Sequence, residues 1–213
     1  MSEREICLNH AGTSWPKPQV VADAARDAMI GSPSQWGERF ITAHREIAEF
    51  FCIRDPEQLL LIPGCTSSLA VGSGDIDLGE RNRVLTSVWG HHALHRSLLQ
   101  LERSGVTLET IPPSEESPLD LNHVEDQLSG GDVELIAITA SSNVTGDLLP
   151  FEAVIELAHR HDAQVLLDAA QMVGWIDLDF VALGADLIAF AGHTGLHGPK
   201  GGSADVTSRT VRV

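Results

Sequence analysis

Hydrophobic positions along this chain follow two spacings in turn, and each spacing predicts its own kind of element. Val20, Val21, Ala24, Ala25, Ala28 and Met29 recur at helical intervals after Pro16 and Pro18, which predicts an amphipathic helix stopped by the Gly31-Ser32-Pro33-Ser34 turn. Trp36, Phe40, Ala43, Ile47 and Phe50 trace one face of a second helix, with Ser34 as its N-cap. Both helices read as packing elements. From residue 59 onward short apolar runs take over, at 59–62, 83–88, 106–111, 133–139, 164–167 and 186–190, each of strand length. Helical patterns separate them, opening near Cys65, Gly90, Leu119 and Pro150. Strands alternating with helices predict a three-layer α/β/α fold, with a mainly parallel sheet covered on both faces. Right-handed crossovers then gather the strand ends along one edge. Residues 1–50 read as an N-terminal arm with its helices and residues 51–213 as the main domain. Residues 201–213 are polar and unpatterned until Thr210-Val211-Arg212-Val213, and read as an abrupt end.

Composition narrows the partners. The 213 residues are 43% hydrophobic, enough for a folded core. Fourteen basic against thirty acidic residues give a net charge of −16, which argues against nucleic acid and anionic membrane as partners. Cys7, Cys52 and Cys65 are odd in number and lack metal-ligand spacing, so a disulfide framework is not expected and the reading is a cytoplasmic protein. No apolar run reaches membrane-spanning length, and no signal-peptide pattern opens the sequence.

The polar clusters at the predicted strand ends carry the candidate chemistry. Cys65-Thr66-Ser67-Ser68 opens a helix, where exposed N–H groups and hydroxyls suit either ordinary capping or a phosphate. His91 and His95 stand four apart, as a metal pair on a helix would, but no carboxylate or cysteine supports them at a suitable spacing. Stacking or core packing by His91 is the alternative, and no metal site is predicted. Asn143 and Thr145 follow the strand at 133–139, and His193 follows the one at 186–190. Asp168 with Gln171 leaves a strand as apolar as Val165-Leu166-Leu167. A carboxylate there needs a cationic partner, such as a protonated cofactor ring, or else serves as a local cap. Phosphate at a helix start, a stacking imidazole and a carboxylate for a pyridinium together describe a pyridoxal phosphate pocket.

The ordered motifs Asn9-His10-Ala11-Gly12, Pro63-Gly64-Cys65-Thr66-Ser67, Gly90-His91-His92-Ala93, Ser142-Asn143-Val144-Thr145-Gly146, Asp168-Ala169-Ala170-Gln171 and the turn from Ala191 to Gly201 closely resemble the class V aminotransferases, a family that includes cysteine desulfurases. The resemblance spans nearly the whole chain. It implies a pyridoxal phosphate enzyme of fold type I, with a seven-stranded sheet, a homodimer and an amino-acid substrate. It assigns Thr66 and Ser67 to the cofactor phosphate, with His193 near it, and His91 to the ring face. Asn143 and Gln171 fall to the ring hydroxyl, and Asp168 to the pyridinium nitrogen. Two departures stand out. Thr194 occupies the place of the Schiff-base lysine, and Ala191 that of a phosphate-binding hydroxyl; Lys200, in a Gly-Pro turn, does not substitute. The family's C-terminal small domain, with its substrate-binding arginine, is also not found. The resemblance therefore leaves two functions open: transaminase, desulfurase or lyase chemistry by ancestry, or an inactive relative that binds the cofactor non-covalently or only meets a partner.

Overall fold

The computed structural model describes residues 6–74, 76 and 81–207. Helices α1 (Gln19–Ile30) and α2 (Trp36–Phe50) lead into β1 (Leu59–Pro63) and α3 (Cys65–Gly74). Then follow β2 (Arg83–Ser87), α4 (His92–Arg103), β3 (Thr107–Ile111), α5 (Leu121–Leu128), β4 (Val133–Thr139) and α6 (Phe151–Arg160). The chain continues through β5 (Gln164–Asp168), the short α7 (Phe180–Leu183), β6 (Leu187–Ala191) and β7 (Gly202–Thr207). The seven strands form one sheet in the order β1-β7-β6-β5-β4-β2-β3. Because β7 is antiparallel to both of its neighbours, the other six share one direction and bring their C-terminal ends to one edge.

Alternation along the central strands sorts the core into two layers. Ile136, Ile138, Val165, Leu167, Ile188 and Phe190 face α5, α6 and the Phe51–Phe180 stack, whereas Leu135, Ala137, Leu166 and Ala189 face α3 and α4 through Leu69, Leu94 and Leu98. Both faces are dry, which explains why these strands read as continuous apolar runs. Ile138 is fully buried on the strand between β2 and β5. Ile138→Ala is expected to cost about 2–5 kcal/mol, seen as a lower urea midpoint at unchanged slope.

The N-terminal helices differ from their sequence reading. None of the residues of α1 is buried, and α2 buries only Ala48, so the face bearing Trp36, Phe40 and Phe50 lies exposed. α2 is anchored at its C-terminal end, where Phe51 stacks on Phe180. Ser34 is not the N-cap: it lies in a 3-10 turn (Pro33–Gln35) that places Gln35 at the cap, and its hydroxyl meets that of Ser32 at 2.9 Å. β7 went unforeseen in the polar segment after Gly201. Residues 208–213, with the Thr210-Val211-Arg212-Val213 ending, lie outside the described residues. No helix among the described residues is long and apolar enough to cross a membrane.

Candidate functional site

The loops leaving β1, β2, β4, β5 and β6 close around a cleft of about 370 Å³ at the C-terminal edge of the sheet. Parallel sheets place ligands at this edge because several strands deliver polar side chains to one crevice. Thr66, His91, Asn143, Asp168, Gln171, His193 and Thr194 all line it. Ser67 does not: it is exposed, in the first turn of α3, and its N–H donates to the Gly64 carbonyl at 2.9 Å. A larger groove, about 630 Å³, runs between α2 and β1, but its walls are almost wholly apolar and Glu46 is its one titratable residue. The smaller cleft is where chemistry can occur.

Asp168 ends β5, only 2% exposed. Its Oδ1 accepts the Ala170 N–H at 3.1 Å and faces the Cys65 Sγ at 3.9 Å. The capping and cation-binding readings are thus compatible, since one oxygen caps the turn. No cation pairs with this carboxyl among the described residues. Burial pushes it up to about 6, against the lowering effects of the Ala170 N–H and Cys65. A buried carboxyl without a counterion fits a ligand that brings a positive ring nitrogen.

The folded protein holds the Asp168 proton more tightly than the unfolded chain, so the contribution of Asp168 to stability is greatest below about pH 4. It is lost as pH rises through about 6, a change on the order of 3 kcal/mol. Asp168→Asn is expected to flatten that part of the stability profile. Urea unfolding of both proteins from pH 4 to 8 measures the difference, because every other carboxyl is common to the pair.

His91 precedes α4 instead of lying on its face. It is the N-cap, its Nδ1 accepting the Ala93 N–H at 3.2 Å, and burial followed by the His92 ring holds it below the ordinary histidine range. A neutral imidazole at the cleft wall suits stacking on a ring. His95 is exposed, and no metal-holding group of three or more histidine, cysteine or acidic residues exists among the described residues. Gln171 donates to the Ala11 carbonyl at 3.0 Å, and Asn9 and Gly12 join the wall, so the N-terminal segment closes the cleft.

Thr194 is 3% exposed, and its hydroxyl lies 2.7 Å from the Ala170 carbonyl and 3.2 Å from that of Ala191. It ties the turn after β6 to the loop after β5. The same loops touch through bare backbone: a Cβ on Gly195 would stand 2.2 Å from the Val173 oxygen, and one on Gly174 would stand 2.3 Å from the Gly195 carbonyl carbon. From the other side, the His193 carbonyl meets Lys17 Nζ at 2.7 Å, Thr13 Oγ1 at 3.0 Å, and the N–H and Oγ of Ser14, each at 3.2 Å. Sequence reasoning missed Thr13, Ser14 and Lys17. Their partner lies some 180 residues away, and no local pattern announces it.

Residues 8–212 match the family model described as aminotransferase class-V. A probable cysteine desulfurase of Chlamydia muridarum is 30% identical over 210 residues, covering 92% of this chain and 52% of the relative. The apo cysteine desulfurase of Thermococcus onnurineus NA1 superposes with a TM-score of 0.82 at 24% identity, over 93% of this chain and 52% of that one. A C-DES mutant with glycine covalently linked to its PLP cofactor superposes with a TM-score of 0.81 at 23% identity, over 93% and 55% of the two chains. The chain therefore spans about half the length of the proteins it matches. At these identities the superpositions speak for the fold.

Proposed function

The chain belongs to the class V aminotransferase family, and we propose that it binds pyridoxal phosphate in the cleft beyond β5 and β6 without a covalent bond, and has lost the amino-acid chemistry of its ancestry. The observation that carries this reading is Thr194. By the motif resemblance it stands where the anchoring amine would, and its hydroxyl donates to the Ala170 carbonyl at 2.7 Å. A threonine hydroxyl forms no imine with an aldehyde, and its pKa lies too far from neutrality for general acid–base catalysis.

The rest of the cleft suits the ring better than the anchor. Bound pyridoxal phosphate supplies an electron sink for bonds at an amino-acid α-carbon. Asp168 would hold a protonated ring nitrogen, giving that nitrogen its only carboxylate among the cleft residues. His91 would cover the ring face, and Asn143 and Gln171 would orient its hydroxyl. Thr66 and the start of α3 would take phosphate, with His193 beside it and no hydroxyl from Ala191. Asp168→Ala should weaken cofactor binding at least tenfold, by roughly 1.4 kcal/mol or more, since it removes a charge-assisted contact.

The reading includes a cytoplasmic homodimer. The exposed apolar side chains Met29 and Ile30 on α1 and Trp36, Phe40 and Phe50 on α2 support the pairing of two copies. Titration with pyridoxal phosphate, followed by borohydride reduction and intact mass, tests the central claim. Saturable spectral change with no added mass after reduction is the expected result. A reducible, mass-adding bond in the wild-type chain would show that another amine has replaced the missing one, and would overturn the reading.

A further inference from the structure

We propose that Thr194 makes the cleft selective for the amine form of the cofactor, pyridoxamine phosphate, because its hydroxyl, set between two backbone carbonyls, offers an entering ligand lone pairs only. The inference rests on the cleft being a pyridoxal phosphate site, and names the form of the cofactor that the site holds most tightly.

Two carbonyls compete for one hydrogen. Thr194 Oγ1 lies 2.7 Å from the Ala170 oxygen and 3.2 Å from the Ala191 oxygen. Neither partner has a hydrogen to give, so the hydroxyl is the donor in whichever of the two contacts it makes. Its oxygen then has lone pairs and no hydrogen left for a third neighbour. Ala170, Ala191 and Thr194 all line the cleft, which makes this corner rich in acceptors and poor in donors. The corner is also held in place. Thr194 is buried, and the bare backbone of the next residue, Gly195, closes against the Val173 oxygen and the Trp175 ring, so the turn keeps the hydroxyl between its two carbonyls.

An aldehyde oxygen meets such a corner as one more acceptor. A primary ammonium brings three donors. The motif resemblance puts residue 194 at the place of the Schiff-base lysine, so the ring substituent that faces it is the one by which the two cofactor forms differ. The ring nitrogen, ring hydroxyl and phosphate, given above to Asp168, to Asn143 with Gln171, and to Thr66, are common to both forms and cancel in the comparison. Charge acts in the same direction. No lysine or arginine lines the cleft among the described residues, and Lys17 commits its ammonium to Ser14 Oγ at 2.8 Å and the His193 carbonyl at 2.7 Å. Burial first, then neighbouring positive charge, holds His91 and His193 below the ordinary histidine range, so neither opposes an entering ammonium near neutral pH. A site with acceptors waiting rejects the analogue that lacks the donor more strongly than it rejects a small change of size. Pyridoxamine phosphate should therefore bind at least tenfold more tightly than pyridoxal phosphate. No covalent bond changes in either case.

Calorimetric titration of the full chain near neutral pH with pyridoxamine phosphate, pyridoxine phosphate and pyridoxal phosphate reads the ranking. Pyridoxine phosphate, with one hydroxyl hydrogen to donate and no imine chemistry, should fall between the other two, and guards the comparison against aldehyde captured by surface lysines. Thr194→Val exchanges the hydroxyl for a methyl group without a lone pair, and should reduce the preference for the amine to about threefold or less, whereas Thr194→Ser should keep it. A purely structural Thr194 would weaken all three ligands alike and leave their ratios in place. Pyridoxal phosphate binding as tightly as pyridoxamine phosphate overturns the inference and leaves the proposed function intact. An undiminished preference in a folded Thr194→Val does the same. Absence of binding by all three ligands overturns the proposed function, and the inference falls with it.

Discussion

Thr194→Lys is expected to convert a reversible complex with pyridoxal phosphate into one that borohydride fixes covalently, raising the intact mass by that of the reduced cofactor. The reason is local. Thr194 lines the cleft next to His193, and the motif resemblance, with Gly198-Pro199-Lys200-Gly201 downstream, puts it at the place of the Schiff-base lysine. A longer side chain has the cleft of about 370 Å³ to enter. The exchange removes the hydroxyl bond to Ala170, at a cost of about 1 kcal/mol in stability. It also places an ammonium group in the same cleft as Asp168, which lowers the carboxyl from its raised state. Apparent affinity should rise at least a hundredfold, since a covalent step follows binding. A folded variant that binds the cofactor and acquires no reducible bond would show that the turn directs position 194 away from the aldehyde.

Gly195→Ala should be strongly damaging for a change of one methyl group. Its Cβ would stand 2.2 Å from the Val173 oxygen and 2.9 Å from the Trp175 ring, and backbone at that distance cannot yield as a side-chain end can. The turn after β6 must then part from the loop after β5, breaking the Thr194–Ala170 bond and moving Gln171 from the cleft wall. A loss of about 3 kcal/mol or more is expected in urea unfolding, together with loss of cofactor binding. Gly37→Ala is the control. Nothing lies within 4 Å of its Cβ, and in the first turn of α2 the added methyl should stabilise the protein by about 0.5–1 kcal/mol. If both variants behaved alike, close approach would not be what governs Gly195.

Legibility in the sequence followed the reach of the interactions. β4 and β5 were plain because both faces are buried, leaving runs such as Val165-Leu166-Leu167 with no polar interruption. β7 was missed although Ala204 and Val206 point into the core with period two, because only these two apolar residues mark it among glycine, serine, aspartate and threonine. Most of the candidate site was readable because each polar cluster directly follows an apolar strand. Its exceptions have local causes. Ser67 faces away on α3, and a 3-10 turn moves the start of α2 past Ser34. What no pattern disclosed was contact across the chain, above all the approach of Lys17 to residue 193 and the bare-backbone meeting of Gly174 with Gly195.

The ring of donors on the His193 carbonyl has a consequence for the order of assembly. Lys17 and His193 are 176 residues apart, and β1 pairs with β7 across a similarly long stretch of chain. Contacts that close so long a loop form slowly. During synthesis, β2, β4 and β5 can associate while Thr13, Ser14 and Lys17 still wait for residue 193 to emerge. Binding competence should therefore appear as a late step in refolding, trailing the recovery of secondary structure, and the speed of that step should depend on how readily the two distant ends of the fold meet.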